Sequence, residues 1–302
     1  ILSLGPRILA GFSFSVLSIL VSIIAVFWLM HSFLPRDAWQ TLASVGGGWV
    51  GGTANMVAVS QAIQTSPDAF SSALLVDALC YSVWVLVLFA SVPLQRVFNK
   101  ATKATAMADN IAKTQVINSS ESEKKSLDIG LILLWLGIAL MVGNVSSLLS
   151  EFMPETDVLS SSAWTLLIVT VIGILASYTP LRKLSGSMTI ASALLAIVVA
   201  TIASKASFTG MAAAPLFVLA GFMILILHGL LLTLAARVFH FDLSLCGISS
   251  LACVGGVATA PLLAAAYSPA LAPVGILLAM LGYAVGNGGG LLLASILKTI
   301  GA

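Results

Sequence analysis

The chain is 302 residues long, 59% hydrophobic and 8% charged, with a formal net charge of +2. Soluble domains carry about 25% charged residues, so a soluble globular protein is excluded. Basic residues scattered through short polar intervals exclude a nucleic-acid surface, and long unbroken apolar runs exclude the alternating segments of about ten residues that build a β-barrel.

What remains is an all-α polytopic protein of the lipid bilayer. Nine membrane segments follow in chain order, at 8–33, 38–64, 69–95, 128–150, 162–181, 187–204, 213–239, 243–267 and 270–298. Residues 99–127 form the one long polar stretch, with Lys100, Lys103, Lys113, Lys124 and Lys125. They divide the chain into an N-terminal repeat at 1–98, a linker, and a C-terminal repeat at 128–302. Loop 151–161 carries Glu151, Glu155 and Asp157 without a basic residue, whereas Arg182, Lys183 and Arg237 follow later. The bias of Lys and Arg toward cytoplasmic loops places the linker, 182–186 and the C-terminus inside, and 151–161 outside. Ile1 opens almost directly on a membrane segment, so further helices are expected in front of it. Cys80, Cys246 and Cys253 sit in apolar segments without metal-ligand spacing and are expected to be small core residues.

The segment 38–64 contains Gly46-Gly47-Gly48-Trp49-Val50-Gly51-Gly52, five glycines in seven residues. Glycine inside a helix costs about 1 kcal/mol relative to alanine, so a continuous helix is disfavoured here. Two half-helices meeting at an unwound stretch are predicted. Bare backbone at that depth is tolerated only where it is buried in protein or lines a watery cavity. The segment 243–267 has a similar device in Gly255-Gly256-Val257-Ala258-Thr259-Ala260-Pro261. Proline suits the first turn of a helix and threonine is a good N-cap, so a new half-helix is predicted to start at Thr259. By the same reasoning Thr53 or Asn55 caps the second half of the first broken segment. Both starts would offer free N–H groups and a positive dipole end to a carboxylate or similar anion. The half-helices ending near Val50 and Val254 would offer carbonyls to a sodium ion. The competing reading is that the glycines only permit close helix packing.

An internal repeat runs through these motifs. Pro6 to Phe12 matches Pro215 to Phe222 with one insertion, Gly51-Gly52-Thr53-Ala54-Asn55 matches Gly255-Gly256-Val257-Ala258-Thr259, and Ser66-Pro67 matches Ser268-Pro269. Tyr81 then falls opposite Tyr283, and Asp37 and Asp242 stand in similar places before the glycine pairs. Duplicated halves of this kind are a hallmark of transporters. Six segments separate the two broken ones, which gives both the same orientation, whereas an inverted repeat needs an odd offset.

Among polar residues, Asp77 is the only acidic one well inside an apolar segment. A carboxylate at the bilayer centre costs about 2.5–3.5 kcal/mol on insertion scales, so it is expected to bind a coupling cation or to titrate, or else to hydrogen-bond Tyr81 one turn away. His228 lies mid-segment, where a satisfied core histidine is the bland alternative to a functional one. Ser60, Gln61 and Asn144 are candidates for a polar pathway. Asn287 lies beside Gly282, Gly286 and Gly290, a packing stripe on one helix face, and is placed to donate to the second break. No Ser/His/Asp, Cys/His or metal-ligand pattern points to an enzyme.

The run from Gly51 to Val59 resembles the broken-helix signature of the DUF819 family of integral membrane proteins. The resemblance continues in Phe241 to Leu245, Val254 to Ala260, Val274 to Leu277 and Leu281 to Gly286. It covers most of the chain and is weaker between 128 and 205. Cys253 stands where the resemblance leads to a polar residue, and Val257 where it leads to a small residue or proline. The resemblance implies a place in the cation/proton antiporter and anion transporter superfamily, with two broken helices crossing at the substrate site, and further helices before Ile1. The expected function is a secondary active transporter of a small organic anion or amphoteric metabolite in a bacterial cytoplasmic membrane, coupled to sodium or protons. Gly51, Gly52, Thr53, Asn55, Gly255, Gly256, Thr259 and Asn287 are its candidate binding residues, and Asp77 its candidate for cation coupling. The alternative is a monovalent cation/proton antiporter using Asp77. No cofactor beyond Na+ or H+ is expected, the bilayer and a small solute are the expected partners, and a homodimer is plausible by analogy with the superfamily.

Overall fold

The structure, a computed structural model, describes residues 5–104, 128–155, 160–204 and 214–301. Among the described residues the chain forms twelve α-helices and no strand. They are α1 (Pro6–Met30), α2 (Ala38–Gly51), α3 (Thr53–Ala62), α4 (Pro67–Ser91), α5 (Gln95–Thr102), α6 (Ile129–Ser150), α7 (Ser161–Ala176), α8 (Ser187–Ala203), α9 (Ala214–Phe239), α10 (Leu243–Val254), α11 (Gly256–Tyr267) and α12 (Ala272–Gly301). Five described stretches are long and apolar enough to cross a membrane: Pro6–Met30, Pro67–Thr102, Ile129–Ser150, Ala214–Phe239 and Pro269–Gly301. The chain is thus an integral membrane protein. The polar linker at 99–127 keeps the end of α5 within the described residues, and the rest of it lies outside them, as does Asp157 of the loop 151–161.

Local chemistry sets the helix ends. Pro67 occupies the first turn of α4, where its missing N–H is no loss, and Ser66 caps that turn by accepting from Ala69 N–H at 3.2 Å. Ser160 caps α7 in the same way through Ala163 N–H. The segment expected at 162–181 stops at Ala176 and gives way to a 3-10 turn at Pro180–Lys183, because Pro180 cannot continue the preceding helix.

Around the interruptions the helices come in one order twice, long, short, short, long. α1 to α4 span 25, 14, 10 and 25 residues, and α9 to α12 span 26, 12, 12 and 30. α12 is central: it packs along α2, α3, α10 and α11, while α1 packs on α9 and α10, and α4 on α2 and α9. α6, α7 and α8 lie to one side; α7 touches α3 and α12, and α8 touches α4. The buried core between these groups includes Trp49, Phe70, Ile19, Ile23, Met56 and Ile224.

The glycine-rich run does not unwind as a block. α2 continues through Gly46, Gly47, Gly48 and Gly51, and only Gly52 leaves helical geometry. The reason is packing. A Cβ on Gly282 would lie 2.5 Å from Val50 O, one on Gly286 would lie 2.7 Å from Gly51 Cα, and one on Gly290 would lie 3.1 Å from Gly47 Cα. Backbone therefore meets backbone along α2 and α12, and the dispersion energy of that contact offsets the helix-propensity cost. Gly282→Ala is expected to lower the thermal midpoint of the detergent-purified protein, costing about 1–3 kcal/mol by overpacking. Gly288→Ala, on the same helix with nothing within 4 Å of the added carbon, is expected to leave it unchanged or slightly raised. Equal midpoints for the two variants would contradict this packing account.

Candidate functional site

The first interruption is a single residue. Gly52 has φ 84° and ψ 173°, a region open essentially to glycine alone, and its N–H still donates to Gly48 O at 2.6 Å. The helix resumes at once, with Asn55 and Met56 N–H donating to Gly52 O. Neither Thr53 nor Asn55 caps α3, since the capping position belongs to Gly52, which has no side chain to accept with. At the second interruption Gly256 has φ 63° and Gly255 N–H donates to Leu251 O at 2.8 Å. α11 starts at Gly256 rather than at Thr259, and Pro261 lies inside it. Thr259 Oγ1 donates back to Gly255 O at 3.1 Å, so it serves the preceding turn instead of opening a helix. Gly52 and Gly256, the two interrupting glycines with positive φ, are each the second glycine of a Gly-Gly pair.

Both interruptions face one cavity of about 280 Å³. Its wall includes Gly52 and Thr53 from the first, Gly255 and Gly256 from the second, Asp77 and Tyr81 from α4, and Tyr283 from α12. Thr53 and Ala258 are exposed, so the space opens to the surface of the protein. Asp77 is half-buried, and its Oδ1 accepts from Trp49 Nε1 at 3.0 Å rather than from Tyr81. Among the described residues, no lysine, arginine or histidine stands on the wall. The tyrosines belong to the site although neither was a candidate from its chemistry. The signal that finds them is their equal distance in sequence from Ser66-Pro67 and Ser268-Pro269.

Gly51, Asn55, Thr259 and Asn287 stand behind this wall. Asn55 Nδ2 donates to Asn287 Oδ1 at 2.8 Å and to Tyr283 O at 3.0 Å, and Asn287 Nδ2 donates to Thr170 Oγ1 at 2.8 Å. Asn287 thus serves the first break, not the second. This chain ties α3, α12 and α7 together and positions the helix that carries Tyr283.

His228 is completely buried and fully satisfied. Ser18 Oγ donates to Ser15 O at 2.8 Å, which leaves His228 Nδ1–H to donate to Ser18 Oγ at 2.7 Å. His228 Nε2 then accepts from Ser250 Oγ at 2.9 Å, and Ser250 accepts from Trp84 Nε1 at 2.9 Å. Donors and acceptors close only with a neutral imidazole. The ring joins α1, α9, α10 and α4 and stands off the cavity wall. Replacing His228 with leucine strands the Ser250 hydroxyl proton at a cost of about 1–3 kcal/mol. The expected result is a lower unfolding midpoint with solute binding retained; lost binding at an unchanged midpoint would make the histidine functional. Ser60 and Asn144 donate to local helix carbonyls, Val57 O and Leu140 O, and Gln61 is exposed. The three cysteines are buried and free.

Apolar spans long enough for a bilayer, two helices interrupted at glycine and a cavity between them define a polytopic helical membrane protein with an internal polar site. Within that class the chain belongs to the DUF819 family: residues 1–300 match the family described as "Protein of unknown function (DUF819)". No curated protein and no solved structure matches it.

Proposed function

We propose that the protein is a secondary active transporter whose substrate site is the cavity between Gly52 and Gly255. The observation that carries this reading is that two glycine interruptions with positive φ meet one cavity whose described wall holds a single carboxylate, Asp77. Interrupted helices supply unpaired backbone groups and helix ends, which is how transporters hold solutes in mid-bilayer. α2 is 14 residues long, about 21 Å at 1.5 Å per residue, and so reaches the middle of a bilayer from one face. The two long-short-short-long groups are structural repeats, their interrupted helices cross at the cavity, and alternating access rocks one bundle of helices against another around that crossing. Sodium or a proton couples transport through Asp77, in a bacterial cytoplasmic membrane, and the working unit is a homodimer. Of the two solute classes expected, an amphoteric metabolite suits a wall with one acid and no base better than a simple anion does. A monovalent cation/proton antiporter is the second reading, favoured by the same carboxylate. The protein is not an enzyme on this view.

The test is uptake into proteoliposomes of the full-length protein under imposed sodium or proton gradients. Gradient-dependent accumulation of an organic solute supports the transporter. Movement of sodium or protons alone supports the antiporter, and an inert protein under both gradients sinks both.

A further inference from the structure

We infer that the cavity recognises a small organic molecule through an ammonium group, seated between the rings of Tyr81 and Tyr283 with its charge on Asp77. The inference rests on the cavity being a substrate site and names the chemical class that site takes. Three observations converge on it.

The first is charge. Among the described residues Asp77 is the one charged residue on the wall, and the group already bonded to it is a neutral indole N–H at 3.0 Å from Oδ1. A carboxylate held at membrane depth with no cationic side chain beside it calls for a cation from outside.

The second is what the wall lacks for a bare ion. Hard cations take six or so converging oxygens. Three carbonyls at the two interruptions are already engaged. Gly48 O and Leu251 O accept the N–H groups of Gly52 and Gly255, and Val50 O is turned toward Gly282. The space of about 280 Å³ is far larger than an ion needs and lies at the small end of ligand cavities, which run from about 300 Å³ upward.

The third is the aromatic pair. The Tyr81 ring closes on the second interruption, where a Cβ on Gly255 would lie 3.0 Å from Cε2. Tyr283 closes on the first, where a Cβ on Gly52 would lie 2.8 Å from its Cε1. Each ring is thus drawn against a position with no side chain, and both border the same space as the carboxylate. Aromatic faces around a carboxylate attract ammonium groups through the ring quadrupole, and the attraction grows as water is excluded.

Thermal unfolding of the purified full-length protein tests this with methylammonium, tetramethylammonium and choline, set against dimethylbutanol, the uncharged carbon isostere of choline, and against simple carboxylates. At least one ammonium compound is expected to raise the midpoint in a saturable way, with dimethylbutanol without effect. Tyr81→Leu and Tyr283→Leu are each expected to weaken that binding about tenfold, while the corresponding phenylalanine variants retain it. If a leucine variant fails to fold, the phenylalanine variants and the isostere comparison on the native protein still decide. Equal stabilisation by dimethylbutanol, no stabilisation by any ammonium compound, or unchanged binding in both leucine variants overturns the inference. Gradient-driven accumulation of a carboxylate without ammonium binding also overturns it and leaves the transporter standing. Ammonium binding with no gradient-driven movement upholds it and removes the transporter.

Discussion

The Asp77→Asn protein is expected to fold and to fail at accumulating solute. Asparagine preserves the shape and keeps an oxygen to accept from Trp49 Nε1, which Asp77 holds at 3.0 Å across α2 and α4. What disappears is the charge. Truncating one partner of a desolvated charge pair costs about 2–5 kcal/mol, about thirtyfold or more in affinity for a bound cation. Uptake driven by a sodium or proton gradient should therefore fall to background, whereas the unfolding midpoint without solute should stay close to that of the native protein. Native-level accumulation by the variant would remove Asp77 from both ion coupling and solute binding. A midpoint several degrees lower, with accumulation preserved, would make it a structural acceptor for Trp49.

Gly52→Ala carries the second large effect, and here the cause is the backbone. At φ 84° and ψ 173° a side chain is strained whatever surrounds it, by about 1–3 kcal/mol. The added carbon would also meet the Tyr283 ring at 2.8 Å, on the cavity side of the break. Both loss of stability and loss of solute binding are expected. Gly256→Ala should be milder, because its nearest neighbour is the Tyr283 hydroxyl at 3.4 Å. Gly137→Ala in α6, with nothing within 4 Å, serves as the control and should be neutral or stabilising by about 0.5–1 kcal/mol. Thermal unfolding of the four proteins ranks them, and a Gly52→Ala variant as stable as Gly137→Ala would refute the strain assigned to the break.

Much of this was legible in the sequence because the signals are local. Ser66-Pro67 marks the start of α4, Gly255-Gly256 marks the second interruption, and the glycines at 282, 286 and 290 mark the face that meets α2. The starts of the second half-helices were misjudged for a local reason too. Thr259 and Pro261 look like a beginning, but positive φ at Gly256 lets the helix resume earlier and leaves Thr259 to bond back to Gly255 O. What sequence could not supply were partners brought together by folding. Trp49 meets Asp77 from 28 residues away, and Asn55 meets Asn287 from 232 away. No periodicity predicts either pair, whereas the equal offsets of Tyr81 and Tyr283 from Ser66-Pro67 and Ser268-Pro269 do mark both walls of the cavity.

The contact of α2 with α12 also limits how the molecule can deform. Where backbone touches backbone there are no rotamers to yield, so a slide of one helix along the other would drive Val50 O into α12 instead of being absorbed. Tyr283 is accordingly locked at a fixed distance from Gly52, like a jaw cast in one piece with its anvil. Tyr81 rides on α4, which meets α2 through side chains, Trp49 on Asp77 among them. One wall of the cavity is therefore built in one piece with the first break, and the other is joined to it only through side chains.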